Sequence, residues 1–216
     1  MHRPHLDTLI FDLDGTLIDS SASILAGFAA ALDDLKIAPK LPLTATVIGP
    51  PLRETLATLA GSSDGALLDS LANSFKNYYD TEGYKATSVF SGVEEMLKRI
   101  HGAGTALHIA TNKRLLPTHL ILKHLGWGDL FTSVYALDTR SPAFVSKAAM
   151  IADLMQDQGI VHASAAYVGD RPEDGLAADA NGLPFYAAEW GYSAFPAKNT
   201  PAHWVRLTTP GDLLGI

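Results

Sequence analysis

The 216-residue chain contains no cysteine, which removes disulfides, thiolate nucleophiles and cysteine-bound zinc or iron–sulfur centres together. It also lacks any apolar run near the roughly eighteen residues needed to cross a bilayer, because Asp, Lys, Pro or Gly interrupts each candidate. The short apolar stretch at residues 9–11 is too brief for the hydrophobic region of a secretory leader, so a cytoplasmic protein with no membrane partner is expected. Charge is sparse: 18% of residues are charged, and 16 Lys plus Arg stand against 23 Asp plus Glu for a formal net charge of -7. With no block of like charge, such a chain repels nucleic acid rather than steering it in. Nor is there a Gly-x-Gly-x-x-Gly or Walker loop, which argues against dinucleotides and ATP, and no two of the eight histidines share the i, i+4 spacing of a helix-borne zinc site. What is present is a chain 47% hydrophobic, enough for one sizeable core, with a small substrate as the expected partner.

Short apolar runs recur along the chain. Thr8-Leu9-Ile10-Phe11, residues 106–110, 133–137, 166–168 and 184–187 each read as a strand buried on both faces of a parallel sheet. Helical periodicity fills the intervals at residues 92–100, 115–125, 147–158 and 174–180. This alternation predicts an α/β fold, a Rossmann-like parallel sheet with helices on its faces. Residues 19–84 break the rhythm. They read as helices at 21–35, 52–60 and 64–79, punctuated by Pro39, Pro42, Pro50-Pro51 and residues 61–65. The expectation is an inserted helical cap over 19–84, with 1–18 and 85–216 forming the sheet domain. Gly61-Ser62-Ser63-Asp64-Gly65 matches a serine-hydrolase pattern, but it joins two helices rather than a strand and a helix, and reads as an interhelical loop.

The strongest chemical signal is Asp12-Leu13-Asp14-Gly15-Thr16 at the end of the first strand. Ligands of open α/β sheets bind outside the carboxyl ends of the strands, so both carboxylates should face that crevice. Two acids there repel unless a cation offsets them, and Mg²⁺ suits one or two carboxylates plus phosphate and water. Gly15 permits a sharp turn that frees backbone amides for an anion, with Thr16 beside it. A second acidic cluster, Gly169-Asp170-Arg171-Pro172-Glu173-Asp174, also follows a strand and could close on the first. Between them, Thr111-Asn112-Lys113 ends another strand with donors suited to phosphate oxygens. Lys147 opens a helix where its ammonium could offset developing negative charge, with Arg140 as the competing cation.

These segments, in this order, resemble the four motifs of the haloacid dehalogenase superfamily, in its phosphoglycolate phosphatase-like branch with a helical cap after the first strand. Asn181-Gly182 and Trp190-Gly191-Tyr192 also look like that branch. The sequence departs from the branch at the third motif, where Ser146-Lys147-Ala148 stands in place of a Lys-Pro-x-Pro pattern. The resemblance implies Mg²⁺-dependent hydrolysis of a small phosphorylated metabolite. Asp12 would be the nucleophile that forms an aspartyl-phosphate, and Asp14 the acid and base. Thr111, Asn112, Lys113 and Lys147 would hold the phosphoryl group, together with the Gly15 and Thr16 amides. Asp12, Asp170 and the Asp14 carbonyl would hold the metal, with Asp174 either a ligand or a group orienting Lys147. Arg53, in the Ile48-Gly49-Pro50-Pro51-Leu52-Arg53-Glu54 segment of the cap, could meet a carboxylate or second phosphate of the substrate. The family's dehalogenases lack the second aspartate of the first motif, so Asp14 favours phosphate. A 5′-nucleotidase, a sugar phosphatase, a β-phosphoglucomutase and a non-catalytic binding protein on the same scaffold remain open alternatives.

Overall fold

The structure, a computed structural model, describes residues 6–193, 195–196, 198 and 200–216. In chain order its elements are β1 (Thr8–Phe11), β2 (Ile18–Asp19), α1 (Ser21–Asp34), α2 (Leu52–Ala60), α3 (Gly65–Tyr79), β3 (Ser88–Val89) and α4 (Val93–Gly102). Then follow β4 (Ala106–Thr111), α5 (Leu115–His124), β5 (Ser133–Ala136), α6 (Lys147–Gln158), β6 (Ala165–Gly169), α7 (Pro172–Ala180), β7 (Phe185–Ala188) and β8 (Val205–Leu207). Short 3₁₀ turns lie between some of these.

Six strands form one parallel sheet in the order β5-β4-β1-β6-β7-β8. The central strand β1 shows why its apolar run is continuous. Leu9 and Phe11 enter a cluster with Val93, Met96 and Leu97 of α4 and Ile121 and Leu122 of α5. Ile10 points the other way, into a cluster with Met150, Ile151 and Leu154 of α6 and Ala177 and Ala178 of α7. The period of two thus feeds two helical layers, one on each face. From β1 the chain moves outward to β4 and β5, and from β6 it moves the opposite way to β7. The switch point therefore lies between β1 and β6, where the connections diverge and leave a crevice at the carboxyl ends.

Helices α1, α2 and α3 pack around a third apolar cluster of their own, with Phe28, Leu56, Leu59, Leu71, Phe75 and Tyr79 among its buried members. Asp64 caps α3 by accepting from the Leu67 amide at 3.0 Å, and Gly61 ends α2 in the left-handed region at φ 63°, so residues 61–65 are a loop between helices. The helical unit leaves and rejoins the sheet through an antiparallel pair, β2 with β3.

Three strands have no counterpart among the sequence expectations. β2 and β3 are two residues each, too short to show a period, and β8 has two of its three residues exposed.

Candidate active site

At the switch point, Phe11 lies in register with Ile109 on one side and Val168 on the other, and the Asp12 amide donates to the Val168 carbonyl at 2.9 Å. The first residues past β1 and β6 are therefore neighbours. Asp12, Asp170 and Asp174 are all buried and bring carboxylate oxygens within 4.8 Å of one another. Asp170 emerges directly from β6. Asp174 lies in the first turn of α7, and its carboxylate accepts the Arg171 amide at 3.1 Å, which fixes its direction.

Burial dominates the electrostatics. It pushes the Asp170 carboxyl up to about 8, with Asp174 and Asp12 adding repulsion. It also pushes Asp12 up to about 6, a rise that Lys147 partly offsets. Lys147, the first residue of α6, reaches across to Asp12 at 2.9 Å and Asp174 at 2.5 Å. Burial works against its charge, but the two carboxylates hold the ammonium well above the ordinary lysine range. One buried cation thus faces three buried acids. The deficit of positive charge and the all-oxygen donor set fit a hard divalent ion such as Mg²⁺. Among the described residues, the hydrogen-bond donors to Asp170 are the Tyr192 amide at 2.8 Å and the Thr16 hydroxyl at 3.4 Å, both neutral, while the Arg171 charge offsets part of the repulsion.

Asp14 faces the other way. Its side chain lies outside the carboxylate cluster and meets Lys113 at 3.0 and 3.1 Å, while the Ser20 hydroxyl donates to the same carboxylate. Lys113 is buried, contrary to the surface position common for lysine, because Tyr79 from α3 covers it, with the ammonium 4.6 Å from the ring centroid. Burial again disfavours its charge, and Asp14 outweighs that to hold it above the ordinary range.

Gly15 has φ 89°, and a Cβ there would collide with the Asp170 carboxylate, so both the turn and the close approach require glycine. Thr111, at the end of β4, is buried and accepts the Lys113 amide on its hydroxyl at 3.2 Å. Asn112 points at the helical unit and donates to the Gly49 carbonyl at 3.0 Å. Arg53 stands apart, its side chain 51% exposed and paired with Asp69. Arg140, the competitor of Lys147, pairs instead with Asp153 and Asp157 on the surface.

Two openings serve this chemistry. A cavity of about 60 Å³ lies over Asp12 and Asp14, lined on the helical side by Ile24, Phe28, Ile48 and Phe75 and on the sheet side by Thr111 and Lys113. A larger cleft of about 1130 Å³ adjoins it, sharing Asp12, Gly49, Pro50 and Asn112, and reaches Lys147 and Asp174, with Arg53 on its wall.

Several contributors escaped sequence reasoning. Arg114 pairs in bidentate fashion with Asp80 at 2.5 and 2.8 Å, and Arg171 donates to the Ala45 carbonyl at 3.1 Å, each joining sheet to helical unit. Tyr192 carried only a family signal, as part of Trp190-Gly191-Tyr192.

A sheet switch point with a buried carboxylate cluster, a lysine bridging it and a helical unit above it defines a class of α/β hydrolytic sites. Residues 9–188 match the family of haloacid dehalogenase-like hydrolases, and the chain belongs to that family. It is similar to a phosphoglycolate phosphatase of Xanthomonas campestris, 34% identical over 200 residues that cover 91% of this chain and 88% of that one. It is also similar to the tyrosine-protein kinase PtkA of Mycobacterium tuberculosis, 30% identical over 187 residues that cover 85% of this chain and 62% of the relative. The same fold occurs in a protein described as a predicted phosphatase from Clostridium acetobutylicum, with TM-score 0.86 and 23% identity over 98% of this chain and all of that one.

Proposed function

We propose that this chain is a Mg²⁺-dependent phosphatase that hydrolyses a small phosphate monoester through an aspartyl-phosphate on Asp12, with phosphoglycolate the leading substrate. The observation that carries the reading is the buried set Asp12, Asp170, Asp174 and Lys147 at the switch point. In it, Asp12 is the carboxylate that follows β1 directly, and its attack on phosphorus would split one displacement into two easier ones. Asp12, Asp170, Asp174 and the Asp14 carbonyl are the groups assigned to the metal. When bound, Mg²⁺ would neutralise the repulsion between these acids and the incoming phosphoryl oxygens.

Lys147 and Thr111 are assigned to the phosphoryl group, with the Asn112 amide as a further donor. The Gly15 and Thr16 amides, expected from the sequence to be free for an anion, instead donate within the turn, to the Ile18 carbonyl at 2.9 Å and the Leu13 carbonyl at 3.3 Å. Asp14 would give a proton to the leaving oxygen and later take one from the attacking water, exchanging its bonds to Lys113 and Ser20 for those partners. Residues 19–84 act in this reading as a cap that excludes water from the phosphoenzyme. The same reading assigns residues 1–18 and 85–216 to the sheet domain.

The smaller cavity supports a small substrate. About 60 Å³ between Asp14 and the apolar wall suits a leaving group of a few heavy atoms. Lys113 supplies a cation for a carboxylate on it, which favours a short hydroxy acid over a nucleoside. Arg53, on the wall of the larger cleft, would serve as an outer contact for a longer acidic ester. Comparing kcat/KM for phosphoglycolate, nucleoside monophosphates and sugar phosphates tests the size argument. A preference for nucleotides would overturn it. Phosphate release from an aryl phosphate should stop with EDTA and return with Mg²⁺; absence of any release would sink the enzyme reading in favour of a binding protein.

A further inference from the structure

Tyr192 follows β7 in a segment held tightly against the site. A Cβ on the preceding Gly191 would collide with both the Gly15 carbonyl and the Asp170 side chain, so the segment is pressed onto them. Trp190 fixes its other end by donating from Nε1 to the Thr16 carbonyl at 2.9 Å. From this position the Tyr192 amide donates to Asp170 at 2.8 Å. Its side chain runs in the opposite direction, toward the start of the helical unit. The phenolic oxygen accepts the Ser20 amide at 2.9 Å and donates to the Asp19 carboxylate at 3.1 Å. Asp19 in turn accepts the Ser21 amide at 2.9 Å and its hydroxyl at 2.6 Å, at the first turn of α1. The ring also packs against the apolar cluster of α1 to α3 and lies 6.2 Å, centroid to centroid, from Phe90, just after β3.

One residue therefore touches both chain crossings between sheet and helices. It holds Asp170 through its main chain, and through Ser20 it reaches Asp14, to which the Ser20 hydroxyl donates. We propose that Tyr192 is a positioning residue that couples the hinge of the helical unit to Asp170, so that occupation of the carboxylate cluster and the setting of the hinge depend on each other. The coupling rests on the reading of Asp170 as a metal ligand. It goes beyond that reading by naming the device through which the metal site reaches the helical unit. Physically, the hinge strands β2 and β3 contribute only two residues each, and the phenol adds a side-chain link from the Asp170 segment to the backbone bonds that Leu13, Gly15 and Phe90 make with this stretch. A shift of Asp170 on binding a cation displaces the Tyr192 backbone, and the phenol transmits that displacement to Ser20 and Asp19.

The test is amide hydrogen exchange on the full chain, with and without millimolar Mg²⁺, in wild type and Tyr192→Phe. Without metal, amides at residues 18–24 should exchange about three- to tenfold faster in the variant, the effect of losing a hydrogen-bonded bridge, while β1, β4 and β6 stay unchanged. In wild type, Mg²⁺ should change exchange at residues 18–24. In Tyr192→Phe that response should vanish, although calorimetric titration still finds Mg²⁺ bound with affinity within about threefold of wild type. A merely structural phenol would not separate metal binding from the hinge response. Hinge exchange equal to wild type, or a Mg²⁺ response that persists undiminished, would overturn the coupling. If wild type binds no Mg²⁺, the metal reading falls and with it the coupling to Asp170. Should Tyr192→Phe fail to fold, Asp19→Asn, which weakens the acceptor of the phenol while keeping an oxygen for Ser21, is expected to diminish the Mg²⁺ response at residues 18–24; an undiminished response there would be equally fatal.

Discussion

Asp12 and Asp14 are separated by one residue, yet they occupy opposite electrostatic settings. Asp12 turns into the sheet crevice, where it shares Lys147 with Asp174 and lies near Asp170, and burial raises its carboxyl to about 6. Asp14 turns toward the helical unit, where it has Lys113 to itself and a hydroxyl from Ser20. The first setting has more acid than base and so calls for a cation; the second is a matched pair. On the proposed reading, two identical side chains on one turn take a nucleophile's task and a proton carrier's task because their neighbours differ.

Four measurements test that contrast. The largest effect is expected from Asp12→Asn, which should lower phosphate release by about 10³-fold or more on every substrate, because no other carboxylate emerges in line from β1. Next, Asp14→Asn should cost about 10²-fold with alkyl phosphates and clearly less with an aryl phosphate, whose leaving oxygen scarcely needs a proton. Equal losses on both substrate types would remove the distinction between the two aspartates. Lys113→Met should follow, with about a tenfold greater loss of kcat/KM for an ester bearing a carboxylate than for a neutral one of the same size. A uniform loss would confine Lys113 to holding Asp14.

The smallest effect is on stability and needs no substrate. Asp170 has its carboxyl at about 8 against an ordinary 3.8, so the folded chain keeps a proton that the unfolded chain has released. Its contribution to stability therefore falls as pH rises from about 4 to about 8. Metal-free Asp170→Asn should accordingly melt about 2–4 °C above wild type at pH 8, with the difference shrinking toward pH 4. Thermal melts across that range check the sign. A variant that melts lower at pH 8 would mean that the acid cluster is not a source of strain.

Much of this arrangement is legible in the sequence, for a local reason. Asp12, Thr111 and Asp170 each end or follow a short apolar strand, and Lys147 begins a helix, so pattern alone places them at element ends. A parallel sheet then carries all its strand ends to one edge. The contacts made by the helical unit were not legible in this way. The burial of Lys113 depends on Tyr79, 34 positions earlier in the sequence, and the Arg114 and Arg171 links depend on how α1 to α3 sit over the crevice. No local period encodes such meetings. The two-residue strands β2 and β3 fail for the complementary reason, being shorter than one repeat of the pattern that would announce them.

The separate apolar interior of α1 to α3 has a consequence for how such a molecule can change. Ile24, Phe28 and Phe75 line the cavity over Asp14 and also belong to that interior rather than to either layer on the sheet. Exchanging them for other bulky residues would remodel the chamber while leaving untouched the strands that carry the acids. Selectivity can thus drift through ordinary repacking of three helices, and the machinery beneath need not be reinvented each time.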